Sequence, residues 1–555
     1  MKAVTKTGSL RAFAVRALLW TTGAALLAAG GAAYSADSQK AQAEKSDKPA
    51  AAKAQQASPV PAPLARAAKR WKVNLSDVVI AVMPLDEVKI DAKGRSNVSK
   101  IPLRYGLNAD RTDRPASTAK LVTTLVGLET LGAGFHWYTR FYADAKPDHK
   151  GVLNGNLYVR GGGDPTLVIE DFALQVDKLA QLGVKRITGN IVIDRSYFDL
   201  PPFNPGAFDG RSSRPYNLGP DAALMNYRNL SLELVPDREA GVARVVALPH
   251  MAGVTYPKTV KLSKGSCGDW KTKLGFRLRT EKNGAKRVVF NGTLPRACGA
   301  KNFNVIAFEP NEYFERVFRD LWTKTGGAWA GHVVDGKIPA EAERLFVRMS
   351  PSMAEVIPLI NKWSNNTMAR HVFLTLGQKK VREEEKARES AMRKEKAGNA
   401  VKSDAKAQTM HFPRGTTLAD GRAVIAEWLE KRGIDSKKVY IDNGSGLSRE
   451  TRVTGRAMTE ILAAGWQGPY WPEYAASLPI SGEDGTMVRR KIAVSHGRIK
   501  TGFLRDVRSI GGYVQTRAGE RYAVYASVRG TKNMPGGIVF LDNVIDWVYK
   551  LPARQ

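Results

Sequence analysis

The run Arg114-Pro115-Ala116-Ser117-Thr118-Ala119-Lys120-Leu121-Val122 places a hydroxyl and an amine three residues apart, just where an apolar stretch begins. Leu121, Val122, Leu125, Val126 and Leu128 recur at helical spacing, and the proline ahead of Ser117 marks a helix start. At i and i+3 the Lys120 amine neighbours the Ser117 hydroxyl, and burial lowers a lysine pKa from about 10.4 toward that of a useful base. A serine in the first turn also offers its own backbone N–H to a developing oxyanion. One turn of helix thus holds a nucleophile, a base and half of an oxyanion hole, which suits acyl transfer. The spacing alone is unspecific, since Ser403-Asp404-Ala405-Lys406 repeats it in a charged stretch with no apolar face.

Two further groups lie downstream, Ser364-Asn365-Asn366 and Lys500-Thr501-Gly502. The elements that must bring them together are readable in outline. Val78–Met83 reads as a buried strand, and the Ser117 helix runs to Gly132-Ala133-Gly134. Ser364 interrupts a helical pattern over Met353–Leu376, and a helix at Leu418–Arg432 precedes the strand Val439–Ile441. Lys500-Thr501-Gly502 is expected just ahead of β-patterned runs at Gly511–Thr516 and Tyr522–Val528, and Ile538–Leu551 reads as an amphipathic helix. Lys6-Thr7-Gly8 and Lys324-Thr325-Gly326 repeat the tripeptide, but neither has that context. Between them, Phe172–Leu182 reads as a helix, Ile187–Asp194 as a strand, Leu230–Arg296 as antiparallel strands and Tyr313–Lys324 as a helix. The Gly161-Gly162-Gly163-Asp164-Pro165 loop lacks the Gly-Lys-Ser/Thr ending of a phosphate cradle and reads as a turn after a strand.

A chain of 555 residues exceeds one core and points to about three domains. Apolar content of 43% is ordinary, whereas a net charge of +32 favours an anionic partner such as a wall polymer or a membrane surface. No finger, RNP-like or helix-turn-helix pattern favours nucleic acid. Lys2, Lys6, Arg11 and Arg16 precede an apolar run from Ala17 to Ala33, the layout of a secretory signal over residues 1–36, so an exported, periplasmic protein is expected. Residues 37–66, rich in Ala, Lys, Gln and Pro, read as a disordered linker. Residues 378–408 are charged without an apolar stripe and read as a surface insertion, either a solvated helix or disordered. Cys267 and Cys298, the two cysteines of an exported chain, are expected to pair, and seven histidines without ligand spacing give no zinc site.

Ser-x-x-Lys, Ser-x-Asn and Lys-Thr-Gly, in that order, form the signature set of penicillin-binding proteins and serine β-lactamases. In that set Ser364 can carry a proton between Lys120 and a leaving amine, Asn366 can bond a peptide backbone, and Lys500 and Thr501 can hold a substrate carboxylate. Gly502 lets substrate lie against an edge strand, and the N–H of Phe503 completes an oxyanion hole with that of Ser117. Pro-Ala-Ser-Thr-Ala-Lys, Gly163-Asp-Pro-Thr-Leu167, Ser364-Asn-Asn-Thr-Met-Ala369, Asp442-Asn-Gly-Ser-Gly-Leu-Ser-Arg449 and Asp484-Gly-Thr-Met487 add to these. Together they resemble the class C low-molecular-mass penicillin-binding proteins, D-alanyl-D-alanine carboxypeptidases and endopeptidases, from about residue 67 to the C-terminus. The 244 residues from Lys120 to Ser364 exceed what a β-lactamase uses and match two inserted domains.

The resemblance implies a mixed α/β fold: a penicillin-binding, serine β-lactamase-like catalytic domain, with helices on an antiparallel sheet, over 67–139 and 350–555. It would be interrupted by two β-rich inserted domains over 140–349. It further implies an acyl-enzyme on Ser117, no metal or organic cofactor, peptidoglycan stem peptides and cross-links as substrates, and β-lactams as inhibitors. Phe503 stands where the family more often has a small hydroxyl residue, and Asn443 lengthens the Asp-Gly-Ser-Gly-Leu-Ser pattern by one. The family also carries an acid in its insert that recognises the amine of a diamino acid; Asp209 is a candidate with a poor local match. A serine β-lactamase and a non-catalytic wall-binding scaffold are the alternatives. The Glu-x-x-Leu-Asn element of class A β-lactamases is missing, and the intact motif set argues against a scaffold.

Overall fold

The computed structural model describes residues 59–93, 95–398 and 412–554, with backbone alone for 389 and 391–398. The expected signal segment, most of the linker and the end of the charged insertion lie outside these residues.

Val78–Pro84 is buried at every position because it lies inside a five-stranded antiparallel sheet covered on both faces. The sheet order is Tyr105–Leu107, Val78–Pro84, Arg521–Arg529, Val507–Gln515, Gly497–Leu504. Alternation along the central strands separates two cores. Val79, Met83, Ala523 and Tyr525 face a large helical layer that includes Ala119–Leu131, Met353–Trp363, Leu418–Lys431 and Gly455–Trp466. Val78, Ile80, Val82, Tyr522 and Val524 face the helices Ala62–Arg70 and Met534–Tyr549. Such double coverage explains why these strands read as continuous apolar runs. The helix Ala62–Arg70 starts inside the stretch expected to be linker. Its stripe of Leu64, Ala67 and Ala68 is weak in sequence but packs against the C-terminal helix.

The chain leaves this layer at Tyr138–Ala143 and returns at Glu343–Met349, two strands that pair antiparallel with each other. They belong to a second five-stranded sheet, completed by Leu157–Arg160, Ile191–Asp194 and Val333–Asp335 in parallel pairing. The helices Ile169–Gln181 and Pro310–Lys324 meet through Phe172 and Phe314, ring centres 4.9 Å apart. This part of the insert is therefore α/β, with more helix than the expected β-rich text. The strand expected over Ile187–Asp194 is two strands in different sheets. Gly189 separates them, where a Cβ would come within 2.5 Å of the Gly155 carbonyl oxygen.

Residues 231–247 and 255–303 form a compact unit of their own. It is β-structured, built around the strand Thr259–Ser263 and the hairpin Phe276–Thr280 with Lys286–Phe290. Cys267 and Cys298 are disulfide-bonded within it, beside a core of Trp270, Leu274 and Leu294.

The helix Asn366–Gly398 runs from the catalytic layer into the charged insertion, with Val381 buried. Among the described residues no helix is long and apolar enough to cross a membrane.

Candidate active site

Ser117 sits in a 3₁₀ turn, Ala116–Thr118, that feeds the α-helix Ala119–Leu131. Lys120 lies at i+3, the position that eclipses Ser117 in a three-residue turn. The turn is clamped from three sides. Thr118 Oγ1 and Ser509 Oγ each donate to the Pro115 carbonyl at 2.6 Å. Gly446, at φ +74°, lets its loop press so close that a Cβ would stand 1.8 Å from the Ala116 carbonyl oxygen. Ala116 itself holds φ +50°, a strained conformation for a residue with a Cβ, next to the nucleophile. Phe208 from the insert packs on Ala116 with Leu504 and Val507.

Lys120 is fully buried, and its amine has three neighbours. It donates to Asn366 Oδ1 at 2.7 Å and to the Ser445 carbonyl at 2.6 Å, and lies 3.2 Å from Ser117 Oγ. Burial pushes the ammonium well below its usual range, and the charges of Lys500 and Arg370 push the same way. A neutral amine has two N–H bonds, and two acceptors take both. Its lone pair is then left for the Ser117 hydroxyl, the arrangement of a general base beside a nucleophile.

Ser364-Asn365-Asn366 lies where one helix ends and another begins. Ser364 takes the left-handed conformation, φ +59°, that ends Met353–Trp363. Asn365 caps the next helix by accepting from the Met368 N–H at 3.0 Å. Asn366 opens that helix and faces Lys120. The Ser364 hydroxyl is 2.9 Å from Lys500 Nζ, which also donates to the Thr501 carbonyl at 2.8 Å. Burial lowers the Lys500 ammonium to about 7. Thr501 and Thr486 hydroxyls are 2.9 Å apart. Thr486 belongs to Asp484–Met487, where Asp484 is ion-paired with Lys362.

Several expectations need correction. Lys500-Thr501-Gly502 lies within the edge strand Gly497–Leu504, in register with Gly511, Ile510 and Ser509, rather than ahead of a strand. The Gly502 site is closed by protein: a Cβ there would come within 2.1 Å of Ser509 Oγ and 2.8 Å of the Pro115 carbonyl oxygen, so the glycine accommodates the nucleophile turn. Asn366 is held at both ends of its amide, Oδ1 accepting from Lys120 and Nδ2 donating one hydrogen to the Tyr216 carbonyl at 3.0 Å, which leaves its second N–H for a peptide backbone. The Ser364 hydroxyl meets Lys500. Phe503 is 42% exposed, its ring stacked 3.4 Å from the Arg508 guanidinium. Asp209 is exposed on the loop 203–218, accepting from Tyr216 Oη and Asn217 Nδ2, each at 2.7 Å.

The residues missed from sequence act through the backbone or from buried positions on a helix. The Ser445 and Tyr216 carbonyls have no side-chain signature; only the Gly444-Ser445-Gly446 pattern hinted at a tight turn. Arg370 and His371 looked like ordinary helix residues. His371 is buried, bonds the Gly163 carbonyl through Nδ1 at 2.9 Å, and accepts from the Asp221 N–H, while burial lowers its pKa to about 4. The Gly-rich loop is thus docked on the catalytic helix. Among the described residues no group of three His, Cys, Asp or Glu side chains is placed to hold a metal ion.

The chain matches the D-Ala-D-Ala carboxypeptidase 3 (S13) family over residues 103–404 and 405–535. It is 26% identical over 438 residues to a D-alanyl-D-alanine carboxypeptidase of Actinomadura sp. (strain R39), covering 73% of this chain and 71% of that one. The crystal structure of penicillin binding protein 4 (dacB) from Haemophilus influenzae superposes with a TM-score of 0.64 at 20% identity, over 88% of this chain and 99% of that one. The same protein complexed with a novel β-lactam gives 0.60 at 19% identity, with the same coverage.

Proposed function

The chain belongs to the D-Ala-D-Ala carboxypeptidase 3 (S13) family, and from that premise we propose how its own residues perform the chemistry of a serine D,D-peptidase acting on peptidoglycan. Ser117 Oγ attacks the carbonyl carbon of the penultimate D-Ala, and its proton passes to Lys120 Nζ. The N–H groups of Ser117 and Phe503 receive the oxyanion. Lys120 then returns that proton, by way of the Ser364 hydroxyl that Lys500 holds, to the leaving nitrogen of terminal D-Ala or of a cross-linked diamino acid, and the C–N bond breaks. Water then attacks the ester carbonyl with Lys120 as base, freeing the peptide and restoring Ser117. Lys500 and Thr501 hold the substrate carboxylate, and β-lactams acylate the same serine. The observation that carries this reading is the buried Lys120 amine, 2.7 Å from Asn366 Oδ1, 2.6 Å from the Ser445 carbonyl and 3.2 Å from Ser117 Oγ, where a neutral amine that donates to the first two turns its lone pair on the nucleophile.

Asp209 is the proposed partner of the diamino acid amine. Burial alone would raise its carboxyl, but bonds from Tyr216, Asn217 and the Arg211 N–H hold it below the usual range, so it is anionic and exposed. The proposed site of work is the periplasm, after export through the segment 1–36. A salt-sensitive association with anionic wall or membrane surfaces is also proposed. It is supported by the disulfide-bonded unit, which carries fourteen Lys and Arg against five Asp and Glu over 231–303. Arg279 and Arg287 stand directly opposite each other on its hairpin.

Intact mass with benzylpenicillin tests the core of the proposal. One penicilloyl unit on wild type, and none on Ser117→Ala, is the expected result. Neither adduct nor drug hydrolysis on folded wild type would overturn it.

A further inference from the structure

An asparagine amide can present either its carbonyl or its NH₂ to a neighbour, and the two would do opposite things to Lys120. With Oδ1 forward, Asn366 takes a hydrogen from the amine and leaves the lone pair for Ser117. With Nδ2 forward it would donate to that lone pair and withdraw the base from the nucleophile. In the structure the choice is fixed from behind, because Nδ2 is held by the Tyr216 carbonyl.

That carbonyl belongs to a strap, residues 203–218, which crosses the first turns of the helix Asn366–Gly398. Three side chains on one side of the helix grip it. Asn366 holds the Tyr216 carbonyl, Thr367 Oγ1 donates to the Leu218 carbonyl at 3.3 Å, and Arg370 Nη1 donates to the same oxygen at 2.8 Å. Arg370 is 5% exposed, and the Phe203 ring lies 5.1 Å from its guanidinium. Gly219 is where the strap's base meets that ring: a Cβ there would be 2.4 Å from Phe203 Cδ1. Arg370 Nε has no hydrogen-bond partner among the described residues, and Asp442, whose charge reaches Arg370, is ion-paired at 2.7 Å with Arg422 instead. A buried guanidinium without a bonded carboxylate is costly, and in this chain it stands one turn from the group that orients the base.

We propose that Arg370 is a positioning residue for the general base: by holding the Leu218 carbonyl it keeps the Tyr216 carbonyl on Asn366, and so keeps Asn366 Oδ1 toward Lys120. The inference rests on Lys120 being the base of the peptidase. It has a second consequence through charge. The cations bearing on Lys120 are Lys500, from the edge strand Gly497–Leu504, and Arg370, from the helix; Asp442, from the turn 442–449, acts on Arg370 with opposite sign. Burial brings Arg370 down only to about 10, so it remains charged at neutral pH. Removing it leaves one cation near Lys120 rather than two, which makes the amine harder to deprotonate.

The test is the second-order rate of acylation of the full chain by benzylpenicillin, measured against pH for wild type, Arg370→Met, Arg370→Lys and Thr367→Val. Arg370→Met is expected to acylate about ten- to a hundredfold more slowly, as for other small misplacements of catalytic groups, with the acid limb of the profile moved to higher pH. Arg370→Lys keeps the charge and should keep the limb while losing rate, and Thr367→Val should lose a fewfold. A purely structural role would lower the folded fraction without moving the limb. Arg370→Met at the wild-type rate with an unmoved limb overturns the proposal. Should that variant fail to fold, wild-type rates and limbs in both Arg370→Lys and Thr367→Val overturn it. Failure of the underlying reading is seen separately, as wild type that benzylpenicillin does not acylate.

Discussion

Replacing Gly446 by alanine should disable Ser117 without touching any catalytic side chain. The residue is at φ +74°, and the added Cβ would stand 1.8 Å from the Ala116 oxygen and 2.5 Å from its carbonyl carbon. Carbon and carbonyl oxygen ordinarily meet at about 3.3 Å, so the turn and the loop must separate by roughly 1.5 Å. Neither partner is a flexible side chain that can swing aside. The left-handed conformation adds about 1–2 kcal/mol. Since a shift of about 1 Å in a reacting group can cost roughly a hundredfold in rate, acylation should fall by at least that factor. Two other glycines separate the causes. Gly519→Ala, at φ +87° with nothing within 4 Å, carries the strain alone and should cost stability but no acylation. Gly444→Ala meets Phe373 Cβ at 2.4 Å and the Ala369 carbonyl oxygen at 3.0 Å rather than the nucleophile turn, and should cost stability with a smaller loss of rate. Stopped-flow acylation by a chromogenic β-lactam, read beside thermal midpoints, distinguishes the three. Wild-type acylation in Gly446→Ala would refute the view that this contact sets the nucleophile turn.

The buried Lys500 gives a pH dependence with a definite sign. Its folded value of about 7 lies below the unfolded ~10.4, so between them only the unfolded chain binds the proton, and thermal stability should rise with pH across that window. Lys500→Met should flatten the slope; an identical slope in the variant would contradict the burial argument. Asp209→Asn should raise KM for peptides ending beside a free diamino acid amine several-fold and leave benzylpenicillin acylation unchanged, with equal loss on both arguing for a merely structural role. Pelleting with sacculi should decline as salt screens the basic unit, and binding indifferent to salt would remove that idea.

The chemistry-bearing residues were legible because the information lies in side-chain type and order. Ser117, Lys120, Ser364 and Lys500 are named by their neighbours in the chain, and the hydrogen bonds Lys120–Ser117 and Lys500–Ser364 join them as two pairs. The acceptors that orient those pairs were not legible, since the Ser445 and Tyr216 carbonyls could belong to any residue. Composition misled where packing overrode it. Ala62–Arg70 has the Ala and Lys content of a tether, yet Leu64 is fully buried against the C-terminal helix. The apolar run from Ile187 to Asp194 has the text of one strand, but periodicity cannot see that Gly189 is pressed against the Gly155 backbone and hands the chain to another sheet.

Two lysines of the same type, both fully buried and each bonded to a serine hydroxyl, must nevertheless do different work. Their surroundings divide it. Lys120 has burial and the charges of Lys500 and Arg370 against its own, which favours the neutral amine that the proposed base requires. Lys500 has burial alone, which brings its ammonium down to about 7, where a ligand's charge can tip the balance. A carboxylate arriving beside Lys500 favours its charged form, because an opposite charge at contact stabilises the cation. On the proposed mechanism the proton that pairs with the substrate carboxylate is then taken up at Lys500, and Lys120 is left for the one that Ser117 gives up. Pairs of groups whose environments push them apart are how one site runs acid and base chemistry together; the roles proposed here follow burial and Arg370 rather than residue type.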